Sequence, residues 1–150
     1  MRELSRELPS VISVSLVPAK ALRIHEMVDT RRVAALAREM LSEGVLRRPI
    51  VVDSRTMTIL DGHHRHAAVL RLGLSLIPAI LVDYSSPEIG LRSWRDVRVS
   101  KEDVVRAALL GRPMPPKTSR HIFPFDQERL DLPLKPVSYT HLTLPTTERV

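Results

Sequence analysis

Thr58-Ile59-Leu60-Asp61-Gly62-His63-His64-Arg65-His66-Ala67-Ala68-Val69-Leu70-Arg71-Leu72-Gly73 is the stretch whose reading decides the fold. Led in by Met57, its first part is β-favouring and apolar and runs straight into Asp61-Gly62, which predicts a strand ending at a sharp turn. Beyond the turn, Ala68, Val69 and Leu72 recur at helical spacing, and Gly73 stands where a helix C-terminal cap belongs. A strand that turns directly into a helix leaves backbone N–H groups free at the helix start. With the positive end of the helix dipole they make an anion site. Arg65 and the imidazoles of His63 and His64 lie on that first turn, and the carboxylate of Asp61 stands at its entrance. Cations are unfavourable at a helix N-terminus, so three consecutive cationic or near-cationic side chains point to a bound anion that compensates them. A phosphate-handling site is the economical reading. The competing readings are a solvated first turn capped by Asp61, and a zinc site from His63, His64 and His66. The second lacks a cysteine and an obvious fourth ligand. His66 reads as a helix-surface or packing histidine.

Outward from this stretch, strands and helices alternate. Val11–Val17 reads as a first strand ended by Pro18, followed by the short connection Leu22–Val28. Asp29 caps a helix with Val33, Leu36, Ala37, Met40 and Leu41 on one face and Gly44 closing it. Pro49–Asp53 is a strand, Ser54-Arg55 a turn lacking the preferred glycine, and Thr56–Leu60 the returning strand of a hairpin. Ile77–Tyr84 is a buried strand, with Pro78 expected near its start or at an edge. Ile89–Val99 is irregular or strand-like and carries Trp94. Ser100-Lys101-Glu102-Asp103 has capping-box spacing ahead of a helix that Gly111 ends. Arg112–His121, stiffened by prolines and rich in anion-binding groups, reads as a loop.

The 150 residues fit one domain with a modest core, and 43% apolar with 27% charged residues is the balance of a soluble globular protein. The absence of cysteine excludes disulfide and thiol chemistry. No run is long enough to span a bilayer, and Arg2, Glu3, Arg6 and Glu7 stand where an export signal would be apolar, so a cytoplasmic location is expected. A net charge of +6 favours an anionic partner, either nucleic acid or a phosphorylated small molecule. Pro136–Thr147 resembles the conceptual translation of a sequencing adaptor. Residues 1–135 are therefore expected to form the domain and 136–150 a non-native tail.

Four segments, in order, carry a resemblance to a known family: His25-Glu26, Asp61-Gly62-His63-His64-Arg65, Asp83-Tyr84 followed by Trp94, and Pro116-Lys117-Thr118-Ser119-Arg120-His121. Over about residues 11–134 the chain resembles the ParB/sulfiredoxin superfamily, and within it the free serine kinases, which move a phosphoryl group from ADP or ATP to L-serine. The resemblance implies a compact α/β domain with a small mixed sheet and helices. It also implies nucleotide phosphates held by Gly62, His63, His64 and Arg65, with Mg2+ the expected ion, although no metal-binding residue is assigned. Asp61 would act in catalysis and Glu26 as base for the acceptor hydroxyl. Trp94, Lys117, Thr118, Arg120 and His121 would line the pocket for serine or a similar small acceptor.

The interval between Trp94 and the basic loop departs from that family, where a sizeable lobe is inserted. Here one short helix, Lys101 to Leu110, fills it, which implies a more open pocket and an acceptor that need not be serine. The same superfamily offers rivals. A ParB-like nucleotide-dependent DNA-binding partition protein would need a helix-turn-helix region after the first domain, and one helix before Gly111 does not supply it, so specific DNA binding is not expected. A sulfiredoxin needs a cysteine in the turn. A non-catalytic nucleotide-binding regulator would have no need to retain Glu26 and Asp61.

Overall fold

The computed structural model describes residues 14–93 and 98–125 and the backbone of 132–133. Its centre is a four-stranded mixed sheet. Strand β1 (Ser15–Pro18) leads through a 3-10 turn (Ala19–Ala21) and an extended connection to helix α1 (Thr30–Glu43) and the short β2 (Val45–Leu46). The hairpin β3 (Ile50–Asp53) and β4 (Ile59–Asp61) follows, then helix α2 (His63–Arg71) and β5 (Leu76–Val82). In the sheet the order is β1-β5-β3-β4. β5 runs parallel to β3 and antiparallel to β1, while β3 and β4 are antiparallel. Beyond the sheet lie β6 (Gly90–Ser93), helix α3 (Lys101–Leu110) and β7 (Ser119–Ile122), with β8 (Leu132–Pro133) paired to β2. Strands β6 and β7 form a separate antiparallel ribbon.

Both faces of the sheet are covered, which explains why its strands read as continuous apolar runs. Ile50 and Val52 of β3, Ile59 of β4 and Ile77 of β5 pack with Val33, Ala37 and Met40 of α1 and with Ala68 and Val69 of α2. Val51, Leu60 and Ile80 face the other way, onto Tyr84, Ile89 and Val104 of α3. Burying each such side chain contributes about 1.5–3 kcal/mol, so the two clusters fix where the strand ends lie.

Local signals account for most of the boundaries. Asp29 accepts from the Arg31 N–H at the start of α1, and Gly44 closes that helix at φ 72°. Ser100 and Asp103 form the reciprocal capping box at α3. Pro78 pairs with Leu16 of β1 one residue before the ladder with β3 begins at Ala79, near the strand start.

Four expectations are corrected. Leu41 is 71% exposed, because the apolar stripe of α1 ends at Met40. The hairpin turn spans Ser54–Thr56, with Met57 at φ 59°, and β4 begins only at Ile59. The buried Asp53 carboxylate organises that turn in place of a glycine, accepting from the Thr56 N–H, the Thr56 hydroxyl and the Tyr84 N–H. Strand β5 stops at Val82, since Asp83 turns the chain by accepting from Ser85 N–H and Oγ. Ser119–His121 is strand and not loop, because it pairs with β6. Of the first-strand reading, residues 11–13 lie outside the described residues, as do Trp94 and the run from Pro136.

Candidate active site

Gly62 is where the fold and the site meet. It caps α2 at φ 109°, and a Cβ there would lie 2.4 Å from Cγ2 of Ile50 in β3. Only glycine lets the turn press that closely on the sheet. No side chain caps the helix, so the first N–H groups of α2 open at the end of β4. Across this turn Arg65 Nη2 donates to Asp61 Oδ2 at 3.0 Å, with Arg65 20% and Asp61 44% exposed at the side chain. Burial lowers the Arg65 pKa from its ordinary value and Asp61 opposes the shift, while Arg48 and Arg32 lower it further.

The two imidazoles are not the cations that the sequence pattern implied. His63 is buried, and its Nε2 accepts from the His25 N–H at 3.1 Å. Nε2 of His64 accepts from the Asp29 N–H, also at 3.1 Å. A ring nitrogen that accepts from an amide carries no proton, so both rings are neutral in this arrangement. Their pKa values are lowered in keeping with that, chiefly by burial, and His63 lies well below the usual histidine range. The rings tie the helix start to the His25–Asp29 connection, leaving Arg65 as the one cation among the three. His66 is buried and bonded to the Ala19 carbonyl at 2.8 Å, a packing role as expected.

The facing wall is built by long-range contacts. Met114 N–H donates to the His25 carbonyl and Met27 N–H to the Met114 carbonyl, which holds the connection against the segment after α3. Glu26, between them, reaches the loop beyond. Its Oε2 accepts from the Lys117 N–H at 3.1 Å, and its Oε1 accepts from Ser119 N–H at 3.1 Å and from Ser119 Oγ at 3.0 Å. Lys117 takes a left-handed φ of 60° in this turn. Thr118 is buried, and its hydroxyl donates to the Pro115 carbonyl at 2.5 Å, within the loop itself. His121 is bonded to the Tyr84 hydroxyl at 2.7 Å, and burial lowers its pKa to about 4, with the nearby backbone of Leu60 opposing the shift. Under both walls sits His25, 1% exposed, its ring edge-on to His63 at 4.5 Å and 5.8 Å from His121. Burial lowers its pKa to about 3, and among the described residues neither ring nitrogen has a hydrogen-bond partner.

The walls enclose one cleft of about 880 Å³, lined by Glu26, Asp61, Gly62, His63, His64, Arg65, Lys117, Ser119, Arg120 and His121. It brings together every site residue expected from the sequence except Thr118, which is buried with its hydroxyl on the Pro115 carbonyl, and Trp94, which lies outside the described residues. Sequence reading missed Arg32 and Arg48, which also line it and add positive charge beside Arg65. The doublet Arg47-Arg48 just before β3 was the available signal. Among the described residues, no group of three or more His, Cys, Asp or Glu side chains could hold a metal ion, so the zinc reading fails. No helix among them is long and apolar enough to cross a membrane.

A family model described as the ParB N-terminal domain matches residues 3–91, more than half of the chain. The chain belongs to that family. The matched span includes Glu26 and the Gly62–Arg65 turn but not the Lys117–His121 loop. Among curated proteins, a ParB-like protein of Sulfolobus acidocaldarius is 44% identical over 81 residues, covering 54% of this chain and 40% of that one. An ATP-dependent L-serine kinase of Staphylothermus marinus is 36% identical over 83 residues, covering 53% of this chain and 33% of its own. The chain thus spans well under half the length of these relatives. Among solved structures, a free serine kinase in complex with AMP superposes with a TM-score of 0.74 at 16% identity, covering 83% of this chain and 93% of that one. That likeness establishes the fold shared with the family: a mixed α/β domain with a small sheet.

Proposed function

We propose that the cleft is a phosphotransferase site, moving the terminal phosphoryl group of ADP or ATP to the hydroxyl of free L-serine or a similar small acceptor. One observation carries the reading. An open helix start with Arg65 shares a cleft with a carboxylate, Glu26, that already holds an aliphatic hydroxyl. The serine kinases among the relatives, and the AMP-bound free serine kinase of like fold, support it.

In this reading the donor phosphates lie against the backbone N–H groups that follow Gly62, with the guanidinium of Arg65 beside them and Arg32 and Arg48 adding charge. His63 and His64 serve by fixing the turn. Glu26 takes the proton of the acceptor hydroxyl, a contribution of about 10²–10⁴-fold. Lys117 and Arg120 neutralise charge on the acceptor side, while Thr118 and His121 hold the loop in shape. Trp94 is proposed to line the acceptor pocket. Most of the remaining catalysis is positioning and charge neutralisation. Asp61 fits a magnesium site of the usual kind, a single accessible carboxylate beside nucleotide phosphates, and Arg65 is its present counter-ion. When bound, the ion would neutralise phosphate charge.

The cytoplasm is the proposed location. A DNA-binding role is the alternative that family membership and the net charge of +6 favour. A matrix of ADP and ATP against L-serine and other small hydroxyl compounds, read by direct detection of phosphorylated product, separates the two. Phosphoserine formation is expected. Nanomolar, sequence-specific DNA binding near physiological salt, without phosphorylated product, would favour the alternative.

A further inference from the structure

We propose that Ser119 is itself a phosphoryl acceptor of this cleft, modified by the chain's own bound nucleotide when no free acceptor is present. The inference rests on the phosphotransferase reading above. The hydroxyl that Glu26 holds is that of Ser119, with Oγ donating to Oε1 at 3.0 Å. That distance lies within the reach of about 2.6–3.2 Å that a general base needs to the group it deprotonates. Chemically the group is the side-chain hydroxyl of serine, the same nucleophile as the proposed free acceptor.

Its position is held from several directions. Ser119 N–H donates to the same Glu26 oxygen at 3.1 Å, and Ser119 pairs with Ser93 across the β6–β7 ribbon. Two residues on, and so on the same side of the strand about 7 Å away, His121 lines the same cleft, and β7 packs against β4, the strand that carries Leu60. Leu60 immediately precedes Asp61 and the phosphate turn. The strand carrying the hydroxyl is therefore docked on the strand that delivers the anion site, and both line one cleft. The adjacent hydroxyl of Thr118 is excluded as an acceptor, because it is buried and donates to the Pro115 carbonyl. Geometry thus selects Ser119 within this loop.

The step balances with the nucleotide as co-reactant. Ser119 Oγ forms a bond to the terminal phosphorus, and the bond from that phosphorus to the bridging oxygen breaks. The departing nucleotide, ADP from ATP or AMP from ADP, keeps the electron pair. The hydroxyl proton passes to the Glu26 carboxylate and then to solvent. Free acceptor competes by bringing its own hydroxyl to Glu26, so self-modification belongs to the acceptor-free state.

The test incubates the full 150-residue chain with Mg2+ and ATP or ADP labelled in the terminal phosphate, acceptor omitted, followed by peptide mapping. One phosphate per chain is expected on Ser119, formed at a rate constant independent of protein concentration and suppressed by free L-serine. Glu26→Gln should slow it by about 10²-fold or more. Ser119→Ala should remove the label, while Ser119→Thr, which keeps a hydroxyl, should restore label as phosphothreonine and so exclude misfolding as the cause. Nucleotide binding or phosphoserine production without label on Ser119, or label on another residue, overturns this proposal and leaves the proposed function standing. Neither nucleotide binding nor any phosphorylated product overturns both.

Discussion

The two walls of the cleft are built by opposite means. The phosphate side is local: strand end, Gly62, first helical turn and the Asp61–Arg65 pair fall within five consecutive residues. The acceptor side exists only through tertiary structure, because Glu26 and the loop it holds are 91 and 93 positions apart at Lys117 and Ser119. A local wall keeps its shape as long as α2 stays docked on the sheet. A wall made of long-range hydrogen bonds to one carboxylate adjusts whenever that carboxylate changes partner. The division matches the proposed chemistry, in which a phosphate chain is gripped rigidly and the acceptor exchanges.

The sharpest way to break the comparison is at Gly62. Gly62→Ala places a Cβ against Ile50 at a φ of 109°, so strain and overpacking together should cost about 2–5 kcal/mol. Urea denaturation read by far-ultraviolet circular dichroism measures it. A loss below 1 kcal/mol (about the smallest overpacking cost) would mean that the turn is softer than described.

Next in size, Arg65→Ala should weaken ADP and ATP binding at least tenfold, about 1.4 kcal/mol, with the loop at Lys117–Ser119 unchanged. Titration calorimetry on the folded variant checks this, and unchanged affinity would remove Arg65 from the phosphate side.

A third test sharpens the comparison through pH. His25 and His121 have folded pKa values of about 3 and about 4, below the unfolded value near 6.5, so below pH 6.5 the unfolded chain binds more protons than the folded one. Stability should be undiminished above pH 6.5 and should fall as pH drops from there through about 4 for His121 and about 3 for His25. The fully buried His25 contributes on the order of 1.4 kcal/mol per pH unit. Thermal melts between pH 7 and 4.5 test the sign, and a midpoint that rises on acidification would contradict it.

How much of this was legible in the sequence follows the same division. The turn at Gly62, the caps at Asp29 and Ser100 and the glycine closures are set by neighbouring residues, and they stand where periodicity and cap chemistry put them. The charge on His63 and His64 was misread, because neutrality comes from the amides of His25 and Asp29 more than 30 positions away. Ser119–His121 read as loop because their strand partner, β6, is short and distant in sequence. Thr118 looked like a cleft residue, yet its hydroxyl is consumed by Pro115 three positions earlier. Arg48 was visible as part of a basic doublet, but only the packing of β3 beside the turn gives it a place near Arg65.

The central claim is that Glu26, on the acceptor wall, acts as the base. It is tested most directly by comparing single-turnover phosphoserine formation in the wild-type chain and in Glu26→Gln, with ADP and ATP affinities measured on the same samples. Glutamine keeps the side chain's size and its acceptor oxygen toward Ser119 but sets an NH2 group against the Lys117 N–H, and it cannot take a proton at neutral pH. The predicted result is a rate lower by about 10²–10⁴ with nucleotide affinity nearly unchanged. Turnover of Glu26→Gln at the wild-type rate would contradict it.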